Sequence, residues 1–200
     1  NATETGFVYH KQELKDIYEL CQKLHLYLFV DGARLGVALT SKNQDLTLQD
    51  MVTYTDIFYI GGTKNGALLG EVVITKHAAF DSCFRYSMKQ SGGLLAKGFL
   101  IGMQFEKLFE DQLFFDIARH ANLMATYLIT KLKELNLPFS QTTTNQQFIE
   151  LPVDLVDRLS QSYTFEIWQD KGTSKVIRLV TNYRTTKSDI DSLIADIKKA

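Results

Sequence analysis

Apolar positions along the chain follow two different periods. Leu14, Ile17, Leu20, Cys21 and Leu24 recur at helical spacing, which predicts a helix over about 11–24. The run HLYLFV at 25–30 is short, apolar and aromatic, is closed by Asp31-Gly32, and predicts a buried strand. A short helix is expected over 47–54, a second buried strand over 57–60 ending at Gly61-Gly62, and a third strand over 71–75. Strands that are apolar throughout belong to parallel or mixed sheets covered by helices. Their alternation with helical stretches predicts an α/β layer structure.

From Ala78 the texture changes. Two long helical stretches are expected, at 93–109 and 113–135, the second carrying Ile117, His120, Ala121, Met124, Leu128 and Leu132 on one face. Asn136-Leu137-Pro138 should stop it. Beyond lies the pattern of a small α+β unit: a strand at 148–151, a helix at 153–161, strands at 165–168 and 176–180, and a last helix at 188–199. Thr186 and Asp189 form a capping-box start for that helix. The expected division is a sheet-bearing large domain over 1–90, bridging helices over 91–136 and a small C-terminal domain over 137–200.

Composition narrows the function classes. The 200 residues are 45% hydrophobic and 22% charged, the balance of a globular protein with a real core. A formal net charge of −1 and the lack of any basic run give no electrostatic reason for nucleic acid or an anionic membrane as partner. No apolar stretch is long enough for a membrane span, and no signal peptide opens the sequence. Cys21 and Cys83 do not form a disulfide framework, so a cytoplasmic setting is expected. Asn1-Ala2-Thr3 fits a glycosylation sequon, a triplet common by chance. The sequence opens at Asn1 in a loop and enters a helix within about ten residues, as expected of a chain whose front is missing.

In open α/β sheets, ligands collect at the carboxyl ends of strands. Asp31 follows one predicted strand end, and Thr63 and Lys64 follow another. If those strands are parallel neighbours, the acid and the amine converge. Pyridoxal phosphate needs such a pair: a lysine amine for its Schiff base and a carboxylate for its pyridinium nitrogen. Arg34, three residues past Asp31, could fork onto a carboxylate or the phenolic oxygen of that cofactor. Arg178 lies inside the apolar run Val176-Ile177-Arg178-Leu179-Val180 and needs an anionic partner if it points inward. Lys89 and Lys97 flank Gly92-Gly93, where amides and ammonium groups could meet an anion. Plainer readings stand beside these. Asp-Gly is a common turn, Gly-Gly-Thr-Lys-Asn-Gly could be a loop with a solvated lysine, and a strand arginine usually faces water. The four histidines show no metal-ligand spacing, and the P-loop spacing is absent.

With these residues in place, nearly the whole chain resembles the threonine aldolase and aromatic amino acid β-eliminating lyase family. The likeness is densest in Leu28-Phe29-Val30-Asp31-Gly32-Ala33-Arg34-Leu35-Gly36, at 61–71, at 89–104, and in Ile177-Arg178-Leu179-Val180-Thr181. The resemblance implies the PLP-dependent transferase-like fold (fold type I), with a mainly parallel sheet in its large domain. It also implies a homodimer or homotetramer acting on a small amino acid. It makes Lys64 the cofactor anchor, Asp31 the partner of the ring nitrogen, Arg34 a contact to the cofactor oxygen and substrate carboxylate, and Arg178 the clamp on that carboxylate. Thr63 and Lys97 join the cofactor-binding set. The family's Gly-Gly-Gly-Met-Arg-Gln run is replaced here by Ser91-Gly92-Gly93-Leu94-Leu95-Ala96-Lys97, with Lys97 the nearest cation to the missing arginine. The family's N-terminal portion, which should bring a phosphate-binding loop and a ring-stacking side chain, is not in this sequence. The chain therefore looks like the C-terminal part of a lyase that cleaves a β-hydroxy-α-amino acid to glycine and an aldehyde. β-Elimination from tyrosine or cysteine derivatives, transamination, and a noncatalytic module of the same fold are the alternatives.

Overall fold

The computed structural model describes residues 5–199, so the Asn1-Ala2-Thr3 triplet lies outside the described residues. The chain divides into two compact units, one over residues 9–117 and the other over 118–199 together with 5–8.

The first unit opens with helix α1 (Lys11–Lys23), followed by strand β1 (Phe29–Val30) and the short helix α2 (Leu35–Leu39). Helix α3 (Leu48–Thr53) comes next, capped by Thr47, whose hydroxyl accepts from the Asp50 amide at 3.1 Å while the Asp50 carboxylate accepts from the Thr47 amide at 3.0 Å. Strands β2 (Ile57–Gly61) and β3 (Glu71–Thr75) complete a mixed sheet of order β1-β2-β3. β1 runs parallel to β2, with Phe29 opposite Ile57 and Val30 opposite Phe58, and β3 runs antiparallel to β2. Side chains alternate between the faces of a strand, which sorts this sheet cleanly. Phe58 and Ile60 are buried in the unit's core, with Val30, Val72 and Ile74 packed against it. Phe29, Ile57, Tyr59, Glu71, Val73 and Thr75 share the opposite, less buried face.

The 25–30 run is a correction to the expectation of a buried strand. Only Phe29–Val30 is strand, Leu26, Tyr27 and Phe29 are exposed, and His25 takes a left-handed φ of 55°. β2 supplies ladder partners for two residues only, so hydrogen bonding rather than apolar content sets the strand's length.

Helix α4 (Ala78–Gln90) is a second departure, since no helix is expected there from the sequence pattern. It closes on Gly92, at φ 77°, with the Gly93 amide donating to the Met88 carbonyl at 2.7 Å. A left-handed glycine just past a helix end is a stop signal, which is why helix α5 (Phe99–Phe109) starts well after Gly93. Phe84 and Tyr86 of α4 are exposed, so the helix carries no clean apolar stripe for a sequence reading to find.

Helix α6 (Leu113–Lys133) leads into the second unit. There β4 (Phe139–Ser140), β5 (Gln146–Pro152), helix α7 (Val153–Leu159), β6 (Glu166–Asp170), β7 (Ser174–Val180) and helix α8 (Lys187–Lys198) form a four-stranded antiparallel sheet of order β4-β5-β7-β6 with helices packed on it. Leu132, Ile149, Leu151 and Ile177 are fully buried, in one core with Ile190, Ile194 and Ile197 of α8. Each such side chain contributes about 1.5–3 kcal/mol by leaving water. The Thr186–Asp189 capping box is present as expected. No helix among the described residues is long and apolar enough to cross a membrane.

Candidate active site at the carboxyl ends of two parallel strands

Asp31 stands one residue past β1. The parallel register that pairs Val30 with Phe58 carries on to set Asp31 beside Tyr59, on the same face of the sheet. The backbones come very close here, with the Gly61 amide donating to the Gly32 carbonyl at 2.9 Å. A Cβ on Gly32 would lie 1.7 Å from the Tyr59 carbonyl oxygen, and one on Gly61 would lie 2.3 Å from the Ala33 carbonyl oxygen. Gly32 is therefore required by strand approach, and its carbonyl also opens a turn, accepting from the Leu35 amide at 2.9 Å. That close approach brings the Asp31 carboxylate up to the second strand.

Lys64 sits in a single 3₁₀ turn, Thr63–Asn65, immediately after β2. The turn is fixed from several sides. The Asn65 amide donates to the Gly62 carbonyl at 2.8 Å, and the buried Asn65 side chain donates to the Phe114 carbonyl at 2.8 Å. Gly66, at φ 100°, takes a conformation that L side chains rarely adopt. Glu71 accepts from the Gly62 amide at 2.9 Å. Lys64 itself is exposed and forms no ion pair or hydrogen bond among the described residues.

The electrostatics tie these groups together. The Asp31 carboxyl is held below the usual carboxylate range, chiefly by the Tyr59 hydroxyl, with the Ala33 amide at 2.9 Å and the Lys64 charge adding to it against the cost of burial. Tyr59 is pushed up to about 12 by burial and by its bond to Asp31. Burial raises Glu71, and the Asp31 charge adds to the rise, while the Gly62 amide and the Lys64 charge oppose it. Asp31 and Lys64 thus interact through space at the ends of adjacent parallel strands.

The remaining expected residues lie around or apart from this pair. Arg34 is partly buried at the start of α2, and Thr63 is exposed beside Lys64. Lys97 lies in the turn before α5, and among the described residues it has no ion pair with Asp31 or Glu71. Arg178 belongs to the second unit, on β7. Its side chain is only 13% exposed, ion-paired with Glu166, bonded to Gln146 Oε1 at 3.2 Å and stacked 5.2 Å above the Trp168 ring. It is held by partners rather than solvated, contrary to the commoner expectation for an arginine in a strand. Tyr59 and Glu71 are the residues that the sequence reading left without a role. Strand register was the missing signal, because it alone makes Tyr59 the neighbour of Asp31. No group of His, Cys, Asp and Glu among the described residues could hold a metal ion.

The site suits a pyridoxal-type ring at its nitrogen end. It offers an ionised carboxylate past one strand and, past the next, an amine with no ion pair among the described residues. A carboxylate and an amine past the ends of neighbouring strands are two groups that such a coenzyme needs. The fold is that of fold type I enzymes: a PLP-bound structure from Clostridium difficile 630 shares it, with a TM-score of 0.71 at 14% identity over 98% of this chain and 55% of its own.

The profile of the beta-eliminating lyase family matches residues 1–153, and the chain belongs to that family. The low specificity L-threonine aldolase of Pseudomonas sp. (strain NCIMB 10558) is 29% identical over 204 residues, covering 98% of this chain and 57% of the relative. The threonine aldolase of Leishmania major superposes with a TM-score of 0.91 at 38% identity, over 96% of this chain and 56% of that one. The chain thus spans a little over half the length of the relatives it matches.

Proposed function

We propose that the complete protein is a PLP-dependent lyase that cleaves a β-hydroxy-α-amino acid, with threonine or allo-threonine giving glycine and acetaldehyde. The observation that carries this reading is that Asp31 and Lys64 follow the ends of adjacent parallel strands, near enough for the Lys64 charge to act on the Asp31 carboxyl, in a chain similar to threonine aldolases. The coenzyme would supply an electron sink for breaking the bond between the substrate's α- and β-carbons.

The chain's own residues would then divide the work. Asp31 holds a proton at the ring nitrogen by staying ionised beside it. Lys64 anchors the coenzyme through its amine and carries protons at the same nitrogen. Thr63, next to Lys64, and Lys97 are assigned polar contacts to the coenzyme. Arg34 and Arg178 are assigned to the substrate carboxylate, because a guanidinium fork matches it in two hydrogen bonds. For Arg178 that role requires the substrate to replace Glu166 as the anionic partner. Two free cysteines fit a reducing, cytoplasmic setting. A homodimer or homotetramer is the assembly expected of the complete protein, and light scattering checks it.

The test is Lys64→Ala in the complete protein. Borohydride treatment should fix the coenzyme covalently to the wild type at the peptide containing Lys64, and not to the variant. Labelling that persists in the variant would remove Lys64 as the anchor. Product analysis then separates the chemistries: glycine and an aldehyde for aldol cleavage, pyruvate and ammonia for elimination, and a keto-acid requirement for transamination.

A further inference from the structure

We propose that Tyr59 is a positioning residue for the coenzyme: its hydroxyl holds Oδ1 of Asp31 and thereby turns Oδ2 towards the pyridine nitrogen. This rests on the coenzyme reading above and deepens it.

The geometry carries the inference. The Tyr59 hydroxyl and the Ala33 amide both donate to Oδ1, and these are the carboxylate's only hydrogen bonds among the described residues. Two donors fill the lone pairs of one oxygen and leave those of the other for an incoming N–H. The terminal torsion of an aspartate is broad and nearly two-fold. With the Ala33 amide alone, either oxygen could take that bond and the carboxylate could swing. A second donor arriving from β2 removes the freedom. Tyr59 cannot easily move away, since it is the register neighbour of Asp31 and its ring lies against Phe29 at a centroid distance of 6.1 Å.

The arrangement also decides where a shared proton sits. Between Asp31 and a ring nitrogen, the proton goes to the more basic partner. A hydroxyl that donates to the carboxylate makes it the weaker base, so the proton stays on the ring. The charged groups acting on Tyr59 are Asp31 and Glu71 of β3, and Lys64 acts in turn on both of these. Of these, the described hydrogen bond from the Tyr59 hydroxyl goes to Asp31.

The experiment compares wild type, Tyr59→Phe and Asp31→Asn in the complete protein loaded with pyridoxal 5′-phosphate. Two readouts are followed: the coenzyme dissociation constant, and the ring-nitrogen NMR shift of isotope-labelled coenzyme. Tyr59→Phe keeps the ring and its contact with Phe29. It should weaken binding about three- to fivefold, the cost of ordering one more side chain on binding. It should also move the nitrogen shift part of the way from the protonated value towards that of Asp31→Asn. Fluorotyrosine at position 59 keeps the shape with a more acidic hydroxyl and should move the shift the other way, which preserves the test should the phenylalanine variant fold poorly. If Asp31→Asn changes both readouts while neither substitution at 59 does, Tyr59 merely fills space and the proposal is overturned, with the coenzyme reading intact. If Asp31→Asn itself changes nothing, the coenzyme reading falls, and the role of Tyr59 with it.

Discussion

The pairing of β1 with β2 and that of β5 with β7 show two ways of using a sheet. β5 and β7 match over seven registered pairs, from Gln146 opposite Val180 to Pro152 opposite Ser174, and bury Ile149, Leu151 and Ile177 completely. β1 and β2 match over two, and past Asp31 and Tyr59 come Gly32 and Gly61, where the backbones lie close. The long pairing is a stability element: it packs apolar side chains and leaves few groups free. The short one ends early, so that Asp31 and the Lys64 turn leave the ladder with uncommitted atoms. The charged residues follow the same contrast. Arg178, in the middle of β7, is held by Glu166, Gln146 and Trp168, whereas Asp31 keeps one oxygen open. A charge inside a ladder must be partnered by its own fold, and a charge past the end of a strand can wait for a ligand.

The sharpest way to break this comparison is Gly32→Ala. If backbone approach holds the short pair, a methyl group 1.7 Å from the Tyr59 carbonyl oxygen must push the strands apart. The expected cost is about 4 kcal/mol or more, with loss of coenzyme binding, measured by denaturant unfolding and coenzyme titration. A variant of near wild-type stability would show that the contact is soft. In the other unit, Ile177→Ala should cost about 3 kcal/mol through the cavity it leaves in a fully packed core. It should also leave the Asp31 phenol contact unaltered, because the two units have separate cores.

A smaller effect concerns acid. Asp56 is buried before β2, accepting from the Leu28 amide at 2.7 Å and pairing with the His77 ring at 2.6 Å. Burial raises its carboxyl, but the Leu28 amide and His77 outweigh that, so it lies below the usual carboxylate range. A carboxyl depressed by folding stabilises above its unfolded value, about 3.9, and the benefit is lost as pH falls through the folded value. Asp56→Asn should therefore be less stable than wild type near neutrality, by roughly 1–3 kcal/mol. The gap should narrow on acidification below about pH 4, as read from melting temperatures across pH. A constant gap would mean that Asp56 acts through shape alone. The smallest expected change is a gain. Gly102 lies within α5, and a Cβ there meets nothing within 4 Å, so Gly102→Ala should stabilise by about 0.5–1 kcal/mol in a melting experiment. Set beside Gly32→Ala, it separates a glycine demanded by packing from one that merely weakens a helix.

Much of this was legible in the order of residues. Periodicity located α1, α6, α7 and α8, because their apolar stripes are local facts of spacing. Thr186–Asp189 announced a helix start by chemistry that acts within four residues. Asp31 and Lys64 could be singled out because each follows a predicted strand end with glycines beside it. Helix α4 was not legible, since its aromatic residues face outward and no stripe forms. Nor was the polar stretch Thr142-Thr143-Thr144-Asn145-Gln146-Gln147, which looks like a loop. In fact it runs into a buried strand, where Gln147 donates to the Thr144 carbonyl at 2.8 Å and accepts from the Thr142 amide at 3.2 Å. Buried polar groups are tolerable only when paired, and the partners come from the folded arrangement.

What the sequence determined by itself was a set of residues with the right chemistry and the local signals that place them at element ends. Only the tertiary structure decided that β1 and β2 are parallel neighbours in one register, that strand approach is what demands Gly32, and that Tyr59 meets Asp31. The physical reason is range. Helical periods and caps act over a few residues, whereas the pairing of positions 31 and 59 depends on hydrogen bonds between segments that share no local signal.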